Sequence, residues 1–159
     1  MVGGGKIQSM NDKDILDQIL GSNRYLTVST VDSSGKPWAA PLWYIRDDEG
    51  SLFWWSPVAS QHSQNIASNP DVYITIFNSQ LPEGDGIGLY IQATAAELPE
   101  DELDKVIELY NSTTEQFKMS RENCSGEAPT RLYKAIPSKV WYNDGLERDS
   151  FYTDVRQEI

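Results

Sequence analysis

At 159 residues the chain has the length of one domain that can bury a continuous core of its own. Its 13 Lys and Arg against 24 Asp and Glu leave a formal charge of −11, which disfavours nucleic acid and anionic membrane, because both are bound through basic patches. Five Trp and eight Tyr are too many for a disordered acidic chain, so the charge reads as a solubilising shell around a packed core.

Residues 1–10, with Gly3-Gly4-Gly5, read as a flexible leader without the basic and apolar regions of a signal peptide. No apolar run reaches the roughly 18 residues of a membrane span, and the expected location is the cytoplasm. Asn11 or Asp12 caps a short helix whose Ile15, Leu16, Ile19 and Leu20 share one face, closed by Gly21. Residues 24–31 then alternate as a strand, with Leu26, Val28 and Thr30 on one side. A turn at Asp32-Ser33-Ser34-Gly35-Lys36 leads into a returning strand over 38–45. Asp47-Asp48-Glu49-Gly50 turns the chain again into a strand over 51–56, and such meander connections make antiparallel neighbours.

A helix over about 60–68 ends at Asn69-Pro70, and Val72, Ile74 and Ile76 alternate in the strand that follows. After the polar loop 80–86, a long strand from Ile87 to Leu98 carries small residues, Ala93 and Ala95, on its apolar face. Pro99-Glu100-Asp101-Glu102 opens a helix with the stripe Leu103, Val106, Ile107, Tyr110. Residues 123–130 read as a loop containing Cys124, a lone cysteine that excludes an internal disulfide and points to a reducing compartment. A final strand over 131–142 is interrupted by Pro137, which suits an edge or a bend. The expected architecture is mainly β, α+β in class: a six-stranded antiparallel split barrel with peripheral helices, forming a single domain over 11–159.

One segment concentrates chemistry: Trp55-Ser56-Pro57-Val58-Ala59-Ser60-Gln61-His62, followed by Asn65-Ile66 and Asn69-Pro70. It joins an aromatic strand to a helix start, where unpaired N–H groups and a partial positive charge favour a phosphate. Taken singly, Ser60 is an ordinary N-cap, Ser56 the end of a strand and His62 a solvated helix position. Trp54 and Trp55 are adjacent in one strand and point to opposite faces, so only one belongs to the barrel core and the other lines a pocket or an interface.

The pattern aromatic, hydroxyl, three spacers, Ser, one residue, His, then Asn-apolar and Asn-Pro resembles the flavin-phosphate segment of the pyridoxamine 5'-phosphate oxidase-like FMN-binding split-barrel family. Leu89-Tyr90-Ile91-Gln92-Ala93-Thr94-Ala95 looks like a further strand of that family, and Lys139-Val140-Trp141 fits more loosely. The resemblance implies an FMN-binding flavoprotein, an oxidoreductase of unassigned substrate, and a homodimer with the flavin at the interface. It places Ser56, Ser60, Gln61 and His62 on the phosphate, with Pro41, Leu42, Trp43, Trp55 and Trp141 beside the ring. His62 stands where the family has a Lys, so a titratable imidazole replaces a permanent cation.

The oxidases themselves have an Arg and a Lys in the strand corresponding to 39–44. This chain has Ala39-Ala40-Pro41-Leu42-Trp43-Tyr44, so oxidation of a phosphorylated pyridoxamine is not implied. Rossmann, Walker and Gly-x-Ser-x-Gly patterns are absent, and metal-ligand spacings are weak. Two alternatives stand beside the flavin reading: a non-catalytic flavin- or ligand-binding barrel, and a related fold member that uses a deazaflavin or haem.

Overall fold

The computed structural model describes residues 11–82, 87–143, 147–148, 151–152 and 156–159. The leader expected over 1–10 and the loop tip 83–86 lie outside the described residues. In chain order the elements are α1 (Asp12–Ser22), β1 (Tyr25–Val31), β2 (Pro37–Trp43), β3 (Ile45–Arg46), β4 (Leu52–Pro57), α2 (Gln61–Ser68), β5 (Asp71–Phe77), β6 (Gly88–Glu97), α3 (Leu103–Thr113) and β7 (Thr130–Asn143). Short strands β8 (Glu147–Arg148), β9 (Phe151–Tyr152) and β10 (Arg156–Glu158) follow.

Local signals account for most boundaries. Asn11 Oδ1 accepts from the Asp14 N–H at 3.0 Å and starts α1. The helix runs through Gly21, the expected stop, and ends at Asn23, whose side chain donates to the Ile19 carbonyl at 2.7 Å. The β1–β2 turn is held by the Asp32 carboxylate, which accepts from the Ser34 and Lys36 N–H groups at 2.8 and 2.9 Å, and Gly35 takes the φ of +85° that the turn needs. α3 begins at Leu103, later than Pro99, because residues 99–102 form a separate turn closed by Glu102 N–H to Pro99 C=O.

The strands form a curled antiparallel half-barrel in the order β2-β1-β5-β6-β7-β4-β3, with β10 added to β7. Seven strands on that path replace the six expected, because the returning strand over 38–45 divides at Tyr44 into β2 and β3, each on a different edge. β2 closes one end of the path and β3 the other, and β2 approaches β4 across a gap that no ladder bridges. That gap is the split. Pro137, expected at an edge or a bend, lies inside the sheet at a bend. Gln92 faces Lys139 and Ala93 faces Pro137, so the ladder skips Ser138, whose hydroxyl donates to the Gln92 carbonyl at 3.2 Å.

The concave side buries Leu26, Val28, Ile74, Ile76, Leu89, Ile91 and Trp54, sealed by Ile15 and Ile19 of α1. A second cluster lies on the convex side under α3, where Phe53, Leu103, Val106, Tyr110, Cys124 and Leu132 pack, and burial pushes the Cys124 thiol up. Adjacent strand residues therefore serve different cores: Trp54 the first, and Trp55, partly buried, the second. Ile74, fully buried on a central strand, sets the scale of the first core. Ile74→Ala should lower unfolding free energy by about 2–5 kcal/mol in a urea titration, whereas Lys105→Ala on the exposed side of α3 should change it by no more than about 0.5 kcal/mol.

Candidate functional site

β4 delivers the Trp55–His62 segment to the split. Its residues 52–57 pair with β7 on one side, while β3 covers only Leu52 and Phe53 on the other. Trp54 to Pro57 thus have no strand partner on the edge facing β2, where Pro41, Leu42 and Trp43 lie. Two of the expected residue groups therefore stand on opposite banks of one gap. Pro41 suits the β2 edge, since it has no N–H to leave unpaired.

At the end of β4 the chain enters α2. Ser60 is the N-cap, and its side chain makes no capping bond; the first turn carries no acidic residue. The N–H groups of that turn are accordingly open to an acceptor, and nothing negative in the turn opposes an anion. The Ser60 hydroxyl instead donates to Ser63 Oγ at 2.8 Å and lies 3.1 Å from His62 Nε2. The same nitrogen is 2.9 Å from Ser56 Oγ. One ring nitrogen thus faces two hydroxyls. With Ser60 donating to Ser63, Ser56 is the hydroxyl free to donate to a bare Nε2, and a protonated Nε2 would donate to either oxygen.

Ser56, His62 and Ser63 are 2, 7 and 2 % exposed. His62 is therefore a buried member of a polar network, contrary to the solvated position that the residue taken alone suggests, and burial holds its pKa below the ordinary value. Gln61, exposed, turns along the helix and donates to Asn65 Oδ1 at 2.8 Å, and Asn65 in turn donates to Thr30 Oγ1 of β1 at 2.9 Å. These bonds anchor α2 to β4 and β1 at once. Ser63, Asn65 and Thr30 did not figure among the expected site residues; Ser60 and Ser63 stand at i, i+3, the spacing that makes neighbours on one helix face.

Trp55 lies on the opposite face of β4 from Ser56. Its Nε1 donates to the Asn123 carbonyl at 3.3 Å, and its ring is covered by Phe117, 5.1 Å away and only 11° from parallel. Trp43 meets Tyr110 edge to face at 5.0 Å. Phe117 comes from the irregular stretch after α3, and no local pattern in the sequence announces its contact with a strand more than 60 positions earlier. Trp141 does not join this group. It faces Tyr90 near the far end of β7, nine positions beyond Leu132, the partner of Trp55, or about 30 Å of extended strand.

The local cation, Arg131, sits opposite Ser56 but binds Glu97 at 3.0 Å and the carbonyls of Gly126, Ala128 and Thr130. The start of α2 therefore presents N–H groups, hydroxyls and the imidazole. Among the described residues no cluster of His, Cys, Asp and Glu could hold a metal ion, and no helix is long and apolar enough to cross a membrane.

A family model described as pyridoxamine 5'-phosphate oxidase matches residues 13–144. No curated protein matches the chain in sequence. Among solved structures, a candidate 5-nitroimidazole antibiotic resistance protein from Bacteroides thetaiotaomicron superposes with a TM-score of 0.67 at 13 % identity, covering 84 % of each chain. HutZ, the haem storage protein of Vibrio cholerae, gives 0.66 at 18 % identity over 82 % of this chain and 94 % of its own. An F420 reductase gives 0.57 at 17 % identity, over 78 % and 94 %. At these identities the likeness carries the fold.

The network predicts a signature in the ligand-free protein. His62 should titrate below about 6.5 by NMR. Under more acidic conditions the unfolded chain takes up a proton that the folded chain resists, so stability is complete above that pH and falls as pH drops below it. In urea titrations His62→Gln should flatten this dependence; an unchanged slope would show that His62 is not its source.

Proposed function

Because the chain belongs to the pyridoxamine 5'-phosphate oxidase family, we propose that it is an FMN-binding flavoprotein acting as an oxidoreductase, with the flavin phosphate at the start of α2 and the ring along the split. The observation that carries this reading is the convergence of Ser56, Ser60 and His62 on one uncapped helix start. Hydroxyls, free N–H groups and an imidazole are a donor set suited to phosphate oxygens. In their absence the same groups satisfy one another, so phosphate entry exchanges internal hydrogen bonds for charge-assisted ones.

Bound FMN would supply hydride or single-electron transfer. The chain's own part is to hold and orient it. Ser56 and Ser60 donate to the phosphate, and His62, once protonated, adds a positive charge to the same group. The β2 segment Pro41-Leu42-Trp43 borders the ring from the facing edge, and Trp55 does so once Phe117 withdraws. β2 brings no Arg or Lys, which argues against a phosphorylated pyridoxamine as substrate.

Partner contacts belong to the same proposal. Among the described residues no helix covers the convex face of β1, β5 and β6, where Arg156 lies over Tyr90 and Tyr25 and Phe77 are exposed, so a homodimer would bury them. Haem is the second reading, on the likeness to HutZ. His62, the chain's single histidine, would have to leave its buried network to reach an iron. The two ligands separate by spectrum: on titration with FMN or haemin, flavin bands or a Soret band are distinguished in one cuvette.

Ser60→Ala should weaken FMN binding roughly ten- to a hundredfold, the worth of one hydrogen bond to a charged group, read by quenching of flavin fluorescence. Affinity should also fall as pH rises from 6 to 8, because burial lowers the His62 pKa in the free protein while the phosphate restores its proton, making binding proton-linked. His62→Gln should remove that fall, and an identical pH profile in the variant would exclude His62 from the site. Bleaching of bound FMN by NADH or NADPH would support a reductase; absence of reduction by any donor would favour a ligand-binding barrel.

A further inference from the structure

On the far side of α2 from the split, a cleft of about 380 Å³ separates the helix from the β6–β7 ladder. A smaller hollow shares Pro70, Ala95, Ala96 and Glu97 with it and continues toward the start of α3. The size falls within the range of small-molecule sites, about 300–1,000 Å³. We propose that this cleft is a second binding site, taking a neutral planar aromatic ring that carries one hydroxyl or carbonyl group.

The shape follows from small side chains. Ala95 forms the strand side and Ala67 the helix side, leaving a slot between two backbones with Ile66 as its apolar wall. At its base stand two hydroxyls, Ser63 and Tyr133, both more than nine-tenths buried. Burial pushes the Tyr133 phenol up while the Ser63 hydroxyl partly holds it down, so the two are neutral partners at physiological pH. Val58, 42 % exposed, forms an apolar rim that a bound ring would cover.

Charge selects for neutrality. Every ionic group of the walls has a partner: Glu97 pairs with Arg131 at 3.0 Å and Glu102 with Lys134 at 2.8 Å. No unpaired cation of the lining is left to receive a carboxylate or phosphate, and the net charge of −11 repels one. A neutral hydroxyl or carbonyl, by contrast, meets hydroxyls able to donate or accept. The cleft includes none of Ser56, Ser60 or His62 and meets that network at Ser63, whose hydroxyl accepts from Ser60 at 2.8 Å; the probe is titrated without flavin, so the two readings fail separately.

The probe is 2-naphthol, titrated into the full chain as purified and followed by the methyl resonances of Ala95 and Ala67. Saturable shifts of both are expected, and naphthalene-2-carboxylate should bind at least about tenfold more weakly, a difference of roughly 1.4 kcal/mol. Gln64→Phe and Ala67→Phe each fill the slot from the helix. Both positions are exposed, so each variant should keep the wild-type melting temperature within a few degrees while losing the shifts. Absence of saturable shifts in the wild type would overturn the proposal. So would undiminished binding by whichever filled variant is folded, or equal affinity for the carboxylate.

Discussion

The structure depends on one strand doing two jobs. β7 pairs with β6 along most of its length and with β4 over its first residues, and without it β4 would have only the two-residue β3 beside it. A flat 14-residue strand could not serve both. The slip at Pro137 bends β7 where Ala93 and Ala95 leave room, and the bend turns the sheet into a half-barrel. The edge of β4 that β7 leaves free then faces β2, so the split is a consequence of how many residues β3 can cover.

α2 is fastened to that edge by polar contacts more than by area. Ser56 and His62 tie its start to β4, and Asn65 ties its middle to Thr30 of β1. Buried polar groups are costly when unmatched and stiff when matched, so this network holds the helix start at a fixed place beside the gap while keeping its first N–H groups uncapped. Stability draws on the same atoms that the proposed phosphate site would use. A ligand that takes Ser56 and Ser60 away from His62 must replace what it breaks, which favours a group with several acceptor oxygens and charge.

Much of this was legible before the fold was known, where periodicity and local chemistry decide. The alternation of Val72, Ile74 and Ile76, the stripe Leu103, Val106, Tyr110 and the Asn11 cap all sit as read. Strand geometry alone separates Trp54 from Trp55, but Trp55 packs into the second core under Phe117, where a pocket or an interface was expected. Other features depended on contacts distant in sequence. Tyr44 divides a strand because two sheet edges need the same segment, and Phe117 reaches Trp55 from a loop with no periodic pattern. His62 is buried because β4 places Ser56 against it, a pairing that a helix position considered alone does not reveal.

The central claim is that the α2 start holds a phosphate. Calorimetric titration of the full chain with FMN and with riboflavin, which has the same ring and no phosphate, tests it most directly. With a phosphate held at the α2 start, FMN binds more than about tenfold tighter, the worth of at least one charge-assisted hydrogen bond. Equal affinity for the two, or binding of haemin with none of FMN, would contradict it.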